Sequence, residues 1–208
     1  MLWLGEQVLA YSRRFILETA LSGLALAALR PAGARSVEGG VAPALLQRAL
    51  GALERHRDSI DYRDVIGIAD FSLPSRTPRF YLLAPANGSV TSYLVAHGRG
   101  SDPHRTGWLE YFSNEPHSNA TSAGAYRTGG RYLGAQGQAL HLEGLDPTNS
   151  QAASRAIVVH GAWYVSQQMI VQRHMLGRSE GCFAVANSSL SEILARLGPG
   201  RLIYADRA

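Results

Sequence analysis

The chain contains no lysine, and all 20 of its basic residues are arginine. It holds a single cysteine, Cys182, so no disulfide can form within the chain. Only 17% of its residues are charged, with 16 acids among them and a net charge of +4. No run of arginines interleaves with aromatics, so the basic stripe that a nucleic-acid surface needs is missing. The longest apolar stretch, Ala20 to Leu29, is half the roughly 20 residues a spanning helix requires, which argues against a stable membrane span. Internal repeats and low-complexity segments are absent too. What is present is a 46% apolar composition over 208 residues, which fits one globular domain with a core of ordinary size.

The N-terminus reads as an export signal. Ser12-Arg13-Arg14-Phe15-Ile16-Leu17 sets two arginines ahead of the apolar stretch, and Ala32-Gly33-Ala34 supplies a small-x-small cleavage site. The arginine pair is similar to a twin-arginine signal. Residues 1–34 are therefore expected to be a cleavable leader and residues 35–208 a single domain. Export places the lone thiol in an oxidising envelope compartment or periplasm, where an unpaired cysteine calls for burial or catalysis as its reason.

Past the leader, Pro43 to Arg57 puts Leu45, Leu46, Ala49, Leu50 and Leu53 on one helical face. Short strands are expected over Val65–Phe71, Arg79–Leu83 and Val90–Ala96, the last after an Asn87-Gly88 turn. Ala123–Leu142, Ile157–His160 and Leu202–Ala205 add further strands. Late helices are expected over Ser166–Met175 and Ser189–Leu197, the second with Ser189 and Glu192 at capping-box spacing and Gly198-Pro199 as its stop. The pattern is a mostly β (α+β) domain with peripheral helices.

Cys182 follows the glycine-containing turn Gly177-Arg178-Ser179-Glu180-Gly181 and precedes a short apolar strand. A tight turn exposes a nucleophile and frees backbone N–H groups to stabilise an oxyanion. An ordinary thiol is only a few per cent thiolate at neutral pH, so it needs a base. His160 ends the apolar run Ala156-Ile157-Val158-Val159 and is followed by Gly161, a placement that holds its ring rigidly. By themselves, a lone cysteine and a strand-terminal histidine also fit inert residues, and the surrounding motifs decide between the two.

Those motifs resemble the murein L,D-transpeptidase catalytic domain-like family, with the YkuD fold, whose signature is His-Gly followed by Ser-His-Gly-Cys-x-Arg. His160-Gly161 and Ser179-x-Gly181-Cys182 match it. So do Ile68-Ala69-Asp70-Phe71-Ser72, His97-Gly98-Arg99-Gly100-Ser101, Phe112-Ser113-Asn114, Ser122-Ala123-Gly124-Ala125-Tyr126, Leu142-Glu143-Gly144-Leu145 and Arg155 to Ala162. The resemblance spans roughly residues 62 to 205. It implies a β-sandwich or barrel and a peptidoglycan acyltransferase that needs no metal or other cofactor. Cys182 would be the nucleophile, His160 its base, and the Gly161 carbonyl the group orienting the ring. Ser179 and Gly181 would shape the oxyanion site, Arg178 or Arg155 would bind a substrate carboxylate, and His97 and Ser101 would line a groove. The partners would be peptidoglycan stem peptides; nothing in the sequence sets an oligomeric state.

Two positions depart from the signature. Glu180 stands where histidine is usual, and Ala184 where arginine is usual. A carboxylate two residues from the sulfur raises the thiol pKa if it points inward. Rival readings are an L,D-carboxypeptidase or peptidoglycan hydrolase with the same site, and a wall-binding module without activity. A zinc site built from His97, His104, His117 and Asp102 matches no ligand spacing, and Arg99-Gly100-Ser101 lacks the flanks of a serine elbow.

Overall fold

A computed structural model describes residues 40–208. The expected leader, residues 1–34, and its cleavage site lie outside the described residues.

Helix α1 (Pro43–Arg55) starts with proline at its first position, where a missing N–H costs nothing, and buries Leu45, Ala49, Ala52 and Leu53. Leu46 and Leu50 pack beside them, completing the expected stripe. Nine strands follow: β1 (Ile66–Asp70), β2 (Phe80–Ala84), β3 (Ser89–Tyr93), β4 (Val95–Ala96), β5 (Gly124–Gly134), β6 (Gly137–Gly144), β7 (Val158–Ala162), β8 (Phe183–Ala186) and β9 (Leu202–Asp206). Helix α2 (Gln167–Arg173) joins β7 to β8, and α3 (Asn187–Leu197) joins β8 to β9. All nine strands form one sheet in the order β3-β2-β1-β9-β5-β6-β7-β8-β4. Pairing is parallel for β1 with β9 and for β7 with β8, and antiparallel elsewhere. The fold is the expected mixed, mostly β one with few helices.

The ends of that order are joined by the chain itself. Tyr93 closes β3 at one edge and Val95 opens β4 at the other, and two residues span at most about 7 Å. The sheet must therefore roll until its edges approach. Its concave side encloses the larger core, in which Phe80, Val95, Tyr126, Leu140, Val159, Phe183 and Ile203 come from seven different strands. Helix α1 covers a second cluster on the outside of β1, β2 and β9.

Two expectations need correction. The single strand expected over Val90–Ala96 is split at Leu94, because Tyr93 pairs with Phe80 on β2 whereas Val95 pairs with Val185 on β8. The capping box at Ser189 does not form: α3 begins two residues earlier, and its cap residue, Ala186, makes no side-chain bond. Glu192 instead accepts a 2.7 Å hydrogen bond from the Tyr93 hydroxyl. Tertiary contact has taken the carboxylate that local spacing reserved for the helix end.

Phe183 is fully buried, with its ring edge-on to Tyr126 at 5.3 Å and tilted against Phe71 at 6.1 Å. Phe183→Ala should cost about 3–5 kcal/mol of unfolding free energy in urea titrations; a loss under about 1 kcal/mol would mean the ring does not anchor β8.

Candidate active site

The register of β7 on β8 sets Val159 opposite Phe183 and His160 opposite Ala184. Val159, Phe183 and Val185 point into the large core, while Ala162 and Ala184 pack on the other face with Val165 and Leu176. Side chains alternate along a strand. His160 therefore shares the face of Ala184, and so does Cys182, one residue before β8 begins. Thiol and imidazole thus stand on one face of adjacent parallel strands. His160 is 6% exposed and Cys182 is half-buried. His160 Nδ1 lies 2.9 Å from the Gly161 carbonyl oxygen. A carbonyl only accepts, so Nδ1 carries the proton of the neutral ring and Nε2 keeps its lone pair.

The turn before Cys182 is pinned by backbone. Ser179 N–H donates to the His97 carbonyl at 3.0 Å, and Arg99 N–H donates to the Ser179 carbonyl at 2.7 Å. The Ser179 hydroxyl donates to the Cys182 carbonyl at 2.7 Å and accepts from Gly181 N–H at 3.2 Å. It is thus engaged inside the turn. Gly181 has φ +117°, and a Cβ there would stand 2.7 Å from Ile157 Cδ1 and 2.8 Å from the Ala120 carbonyl oxygen. Only glycine fits both that conformation and that space.

The thiol is 3.6 Å from the Ala156 carbonyl oxygen. Burial pushes its pKa up, and the Glu180 carboxylate adds to the rise; the Val158 N–H, Arg155 and the thiol's own backbone N–H act in the opposite direction. Glu180 points to solvent and pairs with Arg99 at 3.2 Å, so its effect on the sulfur is that of a neighbouring charge, not of a contact. A cleft of about 490 Å³ is walled by His117, Asn119, Gln151, Arg155, Ala156 and Glu180; neither Cys182 nor His160 lines it, and it touches the site through Ala156, whose carbonyl faces the thiol. Tyr164, which the sequence reading did not place in the site, stands near the same charges. Its pKa is pushed up to about 12, by burial first and then by Cys182 and Glu180. It stays a neutral hydrogen-bond donor. Its place four residues after His160, on the chain leaving β7, is the signal that could have drawn attention to it.

The remaining candidates divide. Arg155 is committed to the loop: it donates to the Ser113 carbonyl at 2.8 Å, to Ser122 Oγ at 3.3 Å, to Ser118 Oγ at 3.2 Å and to the Ala120 carbonyl. It braces residues 113–122 against the turn before Cys182 and keeps a positive charge near the sulfur, with few donors left for a substrate. Arg178 donates to the Asp102 carbonyl and lines a separate cleft. His97 and Ser101 do not line a groove, because both are buried. Ser101 Oγ accepts from Thr121 N–H at 2.9 Å. His97 Nδ1 accepts from Arg79 at 2.8 Å, which leaves its Nε2–H facing Asp102 at 3.4 Å. Asp102 is further held by the N–H groups of Thr106, at 2.7 Å, and Gly107, at 3.0 Å. This buried Arg79–His97–Asp102 chain fixes the loop whose His97 carbonyl and Arg99 N–H grip Ser179. His104 faces Glu110 on the surface at 2.8 Å, and His117 is exposed.

Residues 38–205 match the sequence pattern of the L,D-transpeptidase catalytic domain. The chain belongs to this family. Similar solved structures include an L,D-transpeptidase from Mycobacterium smegmatis, at 13% identity, TM-score 0.42, and coverage of 69% of this chain and 58% of that one. L,D-transpeptidase 3 from Mycobacterium tuberculosis aligns at 12% identity and TM-score 0.45, covering 69% and 61%. The helical cell shape determining protein Pgp2 from Campylobacter jejuni aligns at 13% identity and TM-score 0.45, covering 80% and 57%. The chain spans about three-fifths of the length of these structures. No curated protein matches it. Ala184 is fully buried in the small apolar cluster and brings no cation to the site.

Because the thiol pKa is raised, alkylation of Cys182 by iodoacetamide should reach half its maximal rate at a pH above that of a free thiol. Glu180→Gln removes one of the causes, so the midpoint should move down; an unchanged or rising midpoint would contradict the assignment. His97 is held well below its ordinary pKa by burial first, then by Arg79 and Arg178. The unfolded chain takes up a proton there near pH 6.5 whereas the folded chain does not, so stability present above that pH is lost as pH falls further. In His97→Gln, chemical denaturation between pH 7 and 4 should show a shallower fall than in the parent.

Proposed function

We propose that this chain is a cysteine-dependent L,D-transpeptidase acting on peptidoglycan stem peptides. One observation carries the reading: Cys182 and His160 share a face of the paired strands β7 and β8, with His160 Nδ1 bonded to the Gly161 carbonyl so that Nε2 is left as a base. The thiol proton passes to Nε2 and the sulfur attacks the carbonyl carbon of the amide between the third stem residue, through its L centre, and the D-residue after it. The C–N bond breaks, and the departing amine takes the proton from the imidazolium. A thioester remains on Cys182. The side-chain amine of a second stem, deprotonated by His160, then attacks it; the C–S bond breaks and the thiol is restored. The N–H groups of Val158 and Cys182 beside the sulfur offset part of the burial that disfavours its thiolate. Residues 1–34 would direct the chain to the cell envelope, as an export signal removed on arrival.

A second reading has one observation in its favour. The raised thiol pKa also suits a wall-binding module that has lost its chemistry.

Intact-mass spectrometry after exposure to a carbapenem separates the two. The parent should gain the mass of one ring-opened inhibitor, Cys182→Ala should gain none, and His160→Ala should react at least about a hundredfold more slowly. A parent that stays unlabelled while binding wall sacculi is the inactive module. With purified wall fragments, crosslinked dimers indicate an amine acceptor and trimmed monomers indicate water, which would make the enzyme a carboxypeptidase.

A further inference from the structure

Beside the turn before Cys182, and apart from the cleft at Ala156, the chain leaving α2 and the loop after His97 enclose a second cleft of about 510 Å³. Four arginines line it, Arg99, Arg105, Arg173 and Arg178, over a wall that includes Met175 and Leu176. Among the described residues, no acidic residue lines this cleft. Arg99 reaches out to Glu180 and Arg178 bonds a backbone carbonyl. Among the described residues, Arg105 and Arg173 have no carboxylate within ion-pair distance.

We propose that this cleft binds a carboxylate carried on a short aliphatic chain. Guanidinium groups present paired N–H donors in the geometry of a carboxylate, and converging like charges create a positive potential that such a group relieves. A concave site with an apolar wall and a few directed polar groups, in the range of about 300–1,000 Å³, is the ordinary form of a small-ligand pocket. The thioethers of Met169 and Met175, both partly exposed on the cleft wall, give the methylenes of the ligand an apolar surface; a bare phosphate has nothing to place there. The site binds without reacting, and it stands whether or not Cys182 is a nucleophile.

The test is calorimetric titration with pimelate, a linear seven-carbon dicarboxylate, beside its neutral diamide and inorganic phosphate. Arg173→Gln and Arg105→Asn are combined in one variant. Arg105 has φ +57°, which asparagine tolerates better than most residues, so the loop is kept. The parent should bind pimelate saturably and the diamide not at all, with the double variant at least about tenfold weaker. Cys182→Ala should bind as the parent does, which separates this result from any failure of acylation. An absence of saturable pimelate binding, an unchanged affinity in the double variant, or phosphate binding as tight as pimelate would each overturn the proposal.

Discussion

The parallel pairing of β7 with β8 is the constraint on which the site depends. Shifting that register by one residue would turn either the sulfur or the imidazole to the opposite face of the sheet. The register is protected by what lies behind it: Val159, Phe183 and Val185 are wholly buried in the larger core and cannot exchange faces with His160 and Ala184 without exposing apolar surface. A parallel pair also demands a crossover between its strands. Here residues 163–182 provide it, and the turn before Cys182 is the returning leg of that connection. Tyr164 and Ser179 are therefore brought to the site, and α2 and Arg178 to the neighbouring cleft, by the same topological requirement.

That returning leg is held by an interior that is polar at some expense. Arg79, His97 and Asp102 are buried, and such groups are costly unless every donor and acceptor is met. Arg79 meets its own with the Leu73 and Val95 carbonyls and with His97. A network closed in this way tolerates few alternative arrangements, and the loop it fixes is the one that grips both sides of Ser179. Rigidity at the turn is thus bought away from the thiol, which leaves the cleft itself open to solvent.

Much of this was legible in the sequence because the governing signals were local. The short apolar runs at Ile66–Asp70 and Val158–Ala162, buried throughout, the Asn87-Gly88 turn and the apolar stripe of α1 all report burial nearby. The split at Leu94 was not legible, since it arises from the rolling of the whole sheet, nor was the use of Glu192 by Tyr93. At the site, Cys182, His160 and Gly161 could be named from the resemblance to the family signature, not from their spacing alone. Arg155, His97 and Ser101 could be flagged but not assigned, because polar residues that brace a loop and polar residues that meet a ligand look alike in one dimension. The positive φ of Gly181 was foreshadowed only by its being glycine.

The arginine near the thiol has one further consequence. The positive charge acting on the sulfur is the Arg155 guanidinium, which keeps its proton at any ordinary pH and so offers no free electron pair. An acyl group on Cys182 would have beside it a cation that cannot attack it. With lysine absent from the whole sequence, no side-chain amine of its own can quench that intermediate, and the acyl group waits for an amine, or a water molecule, that comes from outside.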